Sequence, residues 1–217
     1  MHHVTVSAPQ TRGHALHWAV LYDVGFALLT LGREHVFRER IIDLADLQTG
    51  ERVLDVGCGT GGLAIAAARR VGATVHAVDA SPEMVARARH RAARAGVPVI
   101  AEVAPVEALR FPDEAFDVVL SSLMLHHLPE DLRGLAFAEI RRVLRPDGRL
   151  LAVDFEPPRS RVARALTRLL LTTRMADYDV RTCLPLMRAA GFVDVESSPT
   201  PYRWLTLVRG RVGAPRG

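Results

Sequence analysis

The sequence predicts an α/β protein built on a doubly wound, mostly parallel sheet, and three observations carry that expectation. From Arg52 onward, short apolar runs alternate with longer helical patterns. A glycine-rich loop joins the first run to the helix that follows it. Two further runs near the end of the chain lie close enough together to read as an antiparallel pair.

The elements follow in order. His14–Thr30 and Glu34–Leu47 read as two helices packed over the sheet's carboxyl edge. RVLDV (Arg52–Val56), TVHAVD (Thr74–Asp79), VPVIAEV (Val97–Val103), FDVVLSS (Phe116–Ser122) and RLLAVDF (Arg149–Phe155) are apolar almost throughout. Continuous rather than alternating apolarity is what burial on both faces of a parallel sheet demands. Between them, Gly61–Val71 is an Ala-rich helix, and Pro82–Ala95 follows Ser81, a capping residue, with Pro at the first helical position. Pro129–Leu144 repeats apolar residues with the period of an amphipathic helix. Val180–Ala190 reads as a helix stopped by Gly191. FVDVESS and WLTLVRG then flank the turn Pro199-Thr200-Pro201, and the tail GRVGAPRG is expected to fray.

The composition narrows the function classes. The 217 residues suit one domain, and 49% apolar with 24% charged residues excludes wholesale disorder. Apolar stretches break well short of the roughly 18 residues of a membrane span, and the start shows no secretory pattern. A cytoplasmic protein is the expectation. Cys58 and Cys183 cannot build a disulfide framework and have no metal-ligand spacing, so no metal is expected. The chain has 28 basic residues, all Arg, but a net charge of only +4, weak grounds for a polyanion partner.

The most informative segment is VLDVGCGTGG, residues 53 to 62. Its glycines let the backbone turn sharply and approach a ligand closely. Gly57, Gly59 and Gly62 satisfy the pattern of a dinucleotide site, with Asp79 at a distance suited to a ribose. Asp55 argues otherwise: a carboxylate there repels a pyrophosphate but receives an ammonium or a water. A cofactor with a ribose and a positive amino group fits better than a dinucleotide.

VLDVGCGTGG, VHAVDASPEMVARAR, EALRFPDEAFDVVLSSLMLHHL and EIRRVLRPDGRLLAVDF, in that order, resemble the class I S-adenosylmethionine-dependent methyltransferases of the type 11, ubiquinone/menaquinone-biosynthesis-like group. The resemblance covers roughly Tyr22 to Phe155. It implies a seven-stranded sheet of order 3-2-1-4-5-7-6 with strand 7 antiparallel, and the cofactor S-adenosyl-L-methionine. It also implies one domain over 1–217: lid helices (1–48), cofactor-binding core (49–156), lid or insertion (157–180), and C-terminal helix and hairpin (181–210).

By the same resemblance, Asp55, Gly57, Cys58, Gly59 and Thr60 hold the methionyl end, with Tyr22 closing over it and Arg33 or Arg38 nearby. Asp79 and Ala80 take the ribose, and Met84 packs on the adenine. Val106 and Glu107 lie at the adenine edge, where Pro105 departs from the family's side-chain acceptor. Ser121 and Ser122 match positions at the cofactor's edge. Cys58 reads as small filler rather than nucleophile.

Methyl transfer needs alignment of donor and acceptor, and a base only where the acceptor loses a proton. His126 and His127, after the fourth strand, are the candidate bases; their alternatives are positioning substrate or capping the next helix. Adjacent histidines are expected to point apart, so that at most one faces the acceptor. The motifs favour O- or C-methylation of a small apolar or aromatic acceptor such as a quinol or phenol. N-methylation of an amine or phospholipid headgroup is the alternative within the class, and a non-catalytic cofactor-binding module the alternative outside it. No nucleic-acid substrate is expected, since SSLMLHHL stands where an Asn/Asp-Pro-Pro-Tyr/Phe motif would. The basic amphipathic stretch Arg159–Arg174 reads as a lid helix or as a peripheral membrane contact. A homodimer through the terminal strands or lid helices stays open.

Overall fold

A computed structural model of the protein describes residues 34–158, 160, 177–202 and 204–214. The expected helix His14–Thr30 with Tyr22, and the stretch Arg159–Arg174, lie outside the described residues.

Seven strands form one sheet in the order β3-β2-β1-β4-β5-β7-β6. They are β1 (Val53–Val56), β2 (Val75–Asp79), β3 (Val99–Val103), β4 (Phe116–Ser122), β5 (Leu144–Phe155), β6 (Phe192–Pro199) and β7 (Leu205–Val212). Strands β1 to β5 pair in parallel, whereas β7 runs antiparallel to both β5 and β6. The helices are α1 (Glu34–Ala45), α2 (Gly62–Val71), α3 (Pro82–Ala95), α4 (Glu130–Val143) and α5 (Cys183–Ala189).

The sheet has a core on each face. Phe37, Ile41 and Ile42 of α1 pack with Leu63 and Ala67 of α2 and Val85 of α3. On the other face, Phe137 and Ile140 of α4 pack with Met187 of α5 and Leu54 of β1. Burying each of the larger side chains stabilises the fold by about 2–3 kcal/mol before entropy is counted. Ser81 caps α3 through Met84 N, 3.4 Å from its hydroxyl, so the capping signal in the sequence is realised.

Three boundaries differ from the sequence expectation. Strand β5 starts at Leu144, five residues early, because Leu144 pairs with Phe116 before Arg145–Gly148 bulge out and Arg149 resumes the ladder opposite Val118. Asp117, facing the bulge, is bracketed by Arg52 (3.3 Å) and Arg145 (2.7 Å). The helix expected over Val180–Ala190 divides into a 3-10 turn, Val180–Thr182, and α5. Asp179 caps that turn through Arg181 N. Gly210–Val212, expected to fray, belong to β7 and pair with β5 and β6.

Candidate active site

The carboxyl ends of β1, β2, β4 and β5 bring two acidic centres and a histidine pair to one edge. At the first, Gly57 (φ 67°), Gly59 (φ 52°) and Gly61 (φ 80°) are left-handed, so the loop from β1 to α2 uses glycine where other residues would be strained. Cys58 N donates to Val78 O (2.9 Å) and Gly61 N to Cys58 O (2.9 Å), which holds the loop against β2. A side chain at Gly57 would collide with Met124, 2.1 Å away, and one at Gly62 with the Arg38 guanidinium, 2.2 Å away. Met124 and Arg38 therefore lie over the loop, Arg38 with its guanidinium 2.6 Å from Glu34 Oε2.

Asp55 is 1% exposed, and its Oδ2 has no hydrogen-bond partner among the described residues. Burial pushes its pKa up to about 8; the Ala64 N–H opposes this, the Asp79 charge adds to it, and Arg38 opposes it. Asp79, ending β2, accepts from Gly59 N at Oδ2 and from Ser81 N at Oδ1, both at 2.9 Å. Burial raises its pKa against those two bonds. Each carboxylate oxygen retains lone-pair capacity beyond one donor. Thr60 Oγ1 accepts from Arg91 at 2.6 Å. A cavity of about 30 Å³ lies between Phe37, Arg38, Asp55, Gly57, Thr60 and Ser122.

Burial, with the Asp55 and Asp79 charges, drives the Cys58 thiol well above its ordinary pKa. It stays a neutral thiol, as its expected role of filler requires. Ser121 is buried with its hydroxyl unpartnered among the described residues, while Ser122 lines the cavity. Ala80 follows Asp79 at the end of β2, and Met84 is buried on the first turn of α3. Val106 and Glu107 sit in the turn after β3, which Ala104 N ties to Asp79 O at 3.1 Å.

The second centre arises where β4 ends. Leu123 takes a left-handed conformation (φ 54°), a strained choice for a non-glycine residue, and its N–H bonds Val153 O. A 3-10 turn, Leu125–His127, follows, with Arg133 Nε donating to Leu125 O and Leu128 O. This swings His126 onto Asp154 of β5. The imidazole Nδ1 stands 2.8 Å from Asp154 Oδ1, and His126 N reaches Oδ2 at 3.2 Å. A carboxylate only accepts, so Nδ1 carries the proton and Nε2 the lone pair.

Asp154 went unnoticed in the sequence, hidden in the apolar run LLAVDF. Its one signal was its place at a strand's carboxyl end, the position Asp79 occupies on β2. The expectation that the two imidazoles point apart is corrected. Their centroids lie 3.9 Å apart at 40°, although a turn of three residues sets neighbouring side chains about 120° apart, so the rings fold toward each other through their side-chain torsions. Neither caps α4, whose N-cap is Pro129 without a side-chain bond. Among the described residues no cluster could hold a metal ion, and no helix is long and apolar enough to cross a membrane.

A strand–glycine-loop–helix with a carboxylate on each of β1 and β2, under a seven-stranded sheet with its antiparallel β7, defines a cofactor-binding transferase fold. Residues 53–148 match the family model described as a methyltransferase domain. The chain is similar over that stretch to the class I S-adenosylmethionine-dependent methyltransferases of the type 11 group.

A demethylmenaquinone methyltransferase of Thermus thermophilus is 38% identical over 138 residues, which cover 63% of this chain and 62% of that enzyme. The 27-O-demethylrifamycin SV methyltransferase of Amycolatopsis mediterranei is 40% identical over 119 residues, covering 54% of this chain and 43% of that one. The chain thus spans about three fifths or less of the length of these curated relatives. The solved structure of the S-adenosylmethionine-dependent methyltransferase SibL superposes with a TM-score of 0.74 at 22% identity, over 95% of this chain and 64% of that one, and bears on the fold.

Proposed function

We propose that this protein transfers a methyl group from S-adenosylmethionine to an oxygen or carbon of a small apolar or aromatic acceptor, of the quinol or phenol kind. The observation that carries the proposal is the pair of carboxylates at the glycine loop, Asp55 buried and Asp79 half-buried. Asp55 has an orphaned oxygen, and Asp79 is held open between Gly59 N and Ser81 N. Those donors and acceptors fit an amino acid joined to a ribose. Asp55 receives the ammonium, and Arg38, beside Gly62, the carboxylate. Gly57, Cys58, Gly59 and Thr60 supply the backbone against the methionyl chain. Asp79 and Ala80 meet the ribose, Met84 the adenine face, Val106 and Glu107 its edge, and Ser121 and Ser122 the border toward the acceptor.

Bound there, S-adenosylmethionine supplies an electrophilic methyl on a sulfonium. The protein's work is then to align the acceptor, exclude water and move one proton. With the cofactor bound, His126 Nε2, its ring oriented by the Nδ1 contact to Asp154, would accept the hydroxyl proton of an acceptor held at the rim. His127, stacked on it, lines the same rim.

Calorimetric titration with S-adenosylmethionine and S-adenosylhomocysteine, wild type beside Asp79→Ala, tests the reading. Micromolar binding lost in the variant supports it. A folded wild type that binds neither compound overturns it and brings a non-catalytic module to the front.

A further inference from the structure

Aromatic rings from separate elements run in contact across the sheet's carboxyl edge. Phe37 of α1, which lines the cavity beside Asp55, meets Tyr202 edge-on at 5.1 Å between centroids. Tyr202 lies 6.1 Å from Trp204, and Trp204 lies 5.7 Å from Phe155 with only 32° between the ring planes. Phe155 meets the His126 imidazole at 4.8 Å. The band therefore begins at the cofactor side of the site and ends on the histidine paired with Asp154.

Its middle members form the margin of the core, packed against it on one side. Phe155, Tyr202 and Trp204 are half-buried, whereas Val153 and Leu205 beside them are 1% exposed. The turn that carries them is fixed on both sides. Thr200 Oγ1 accepts from Tyr202 N at 3.2 Å and lies 2.8 Å from Leu205 O, while Glu156 N donates to Trp204 O at 3.0 Å. Glu156, the acid at this edge, is engaged by the Thr206 hydroxyl (2.6 Å) and Arg181 (3.7 Å), which leaves it paired rather than poised for a cationic substrate. Flat, rigid, partly exposed rings on a fixed turn make a stacking surface.

We propose that Trp204, backed by Phe155 and Tyr202, is the specificity-determining wall of the acceptor site and selects neutral, planar aromatic hydroxyl compounds by stacking. This rests on the methyltransferase reading above and narrows it from small apolar acceptors to flat ones. With the ring held against Trp204, the hydroxyl meets His126 at the band's end.

The probes are 2-naphthol and its saturated counterpart decahydro-2-naphthol, titrated calorimetrically into protein saturated with S-adenosylhomocysteine. Burial alone favours the saturated compound, the more apolar of the two, whereas the more acidic hydroxyl of 2-naphthol bonds His126 better, so loss of the 2-naphthol preference in Trp204→Leu is what isolates stacking. Wild type is expected to bind 2-naphthol about tenfold more tightly, a ratio equivalent to about 1.4 kcal/mol. Trp204→Leu loses that preference, and Trp204→Phe keeps most of it. S-adenosylhomocysteine affinity is unchanged in both. Tyr202→Leu, further along the band, weakens the preference in part and serves if Trp204→Leu does not fold. Equal affinities in wild type, or an intact preference in Trp204→Leu, overturn the proposal. Failure of S-adenosylhomocysteine to bind wild type would sink the methyltransferase reading instead, and the same two naphthol titrations without it would still decide on the wall.

Discussion

His126 Nδ1 and Asp154 Oδ1 stand 2.8 Å apart, joined across 28 residues of chain, with side chains 6% and 1% exposed. Asp154 also accepts from His126 N and Phe155 N, so its orientation is set by the backbone and not by the imidazole. Replacing it with Asn keeps the shape but offers an amide that can donate to Nδ1, which frees the ring to adopt the wrong tautomer. With a hydroxyl acceptor, kcat is expected to fall about 100-fold or more in Asp154→Asn, while calorimetric affinity for S-adenosylhomocysteine stays at the wild-type value. A variant with unchanged kcat would remove His126 from the proton transfer.

Asp55 makes cofactor affinity depend on pH. Its pKa is raised to about 8, chiefly by burial, so below that pH the carboxyl is protonated and cannot pair with an ammonium. Binding an ammonium there releases a proton, and affinity for S-adenosylhomocysteine should rise with pH toward 8, by up to about tenfold per unit. Asp55→Asn should bind more weakly at pH 8 and lose most of that dependence. The same shift has a stability consequence of opposite sign. The folded state holds a proton that the unfolded state releases above its ordinary pKa of 3.8, so the unliganded protein loses stability as pH rises between about 4 and 8. Chemical denaturation at pH 5 and pH 8 checks this; a wild type no less stable at pH 8 than Asp55→Asn, relative to pH 5, would contradict it.

Strands β1, β2 and β4 were legible as apolar runs of the sheet interior, and α3 because Ser81 and Pro82 mark its start; β3 is an apolar run too, but it forms the sheet's edge with Ile100 46% exposed, so burial on both faces was the wrong expectation for it. The glycine loop with Asp55 stood out for a different reason: it is contiguous in sequence along one strand–turn–helix, with Asp79 ending the next strand. What stayed hidden depends on contacts between distant segments. Asp154 gains meaning only when the left-handed Leu123 turns His126 onto β5. The bulge at Arg145–Gly148 likewise answers to Asp117, 28 residues upstream of Arg145. Tyr202 and Trp204 looked like ends of a hairpin until their rings were seen against Phe37 and Phe155.

Gly57 tests the loop's backbone separately from its chemistry. Ala there faces two costs: a φ of 67° that L-residues rarely adopt, and a Cβ 2.1 Å from Met124 Cγ. Gly57→Ala should destabilise the protein by about 1–3 kcal/mol in chemical denaturation. Adding Met124→Gly removes the contacts with both Cγ and Cβ but not the strain, so recovery relative to Met124→Gly alone should be partial. Full recovery would show that the left-handed backbone carries no cost here.

Asp117 is the stability counterpart of the site's acids, on the opposite edge of the sheet from them. Burial pulls its pKa upward, but the Arg52 N–H at 2.6 Å, the Arg52 guanidinium and Arg145 together hold it below the usual carboxylate value. A depressed pKa means that the stabilisation is present above the unfolded value of 3.8 and is lost as pH falls through the folded one. Asp117→Asn should therefore be less stable than wild type at pH 7, by about 1–2 kcal/mol given the exposure of both arginines. The two proteins should converge as pH falls through the folded value. The cost should appear in denaturation midpoints with no change in S-adenosylhomocysteine affinity, since Asp117 holds the bulge between β4 and β5 and not the cofactor edge. A gap between the two proteins that persists at the acid end of the titration would mean that Asp117 stabilises the bulge by shape and not by charge.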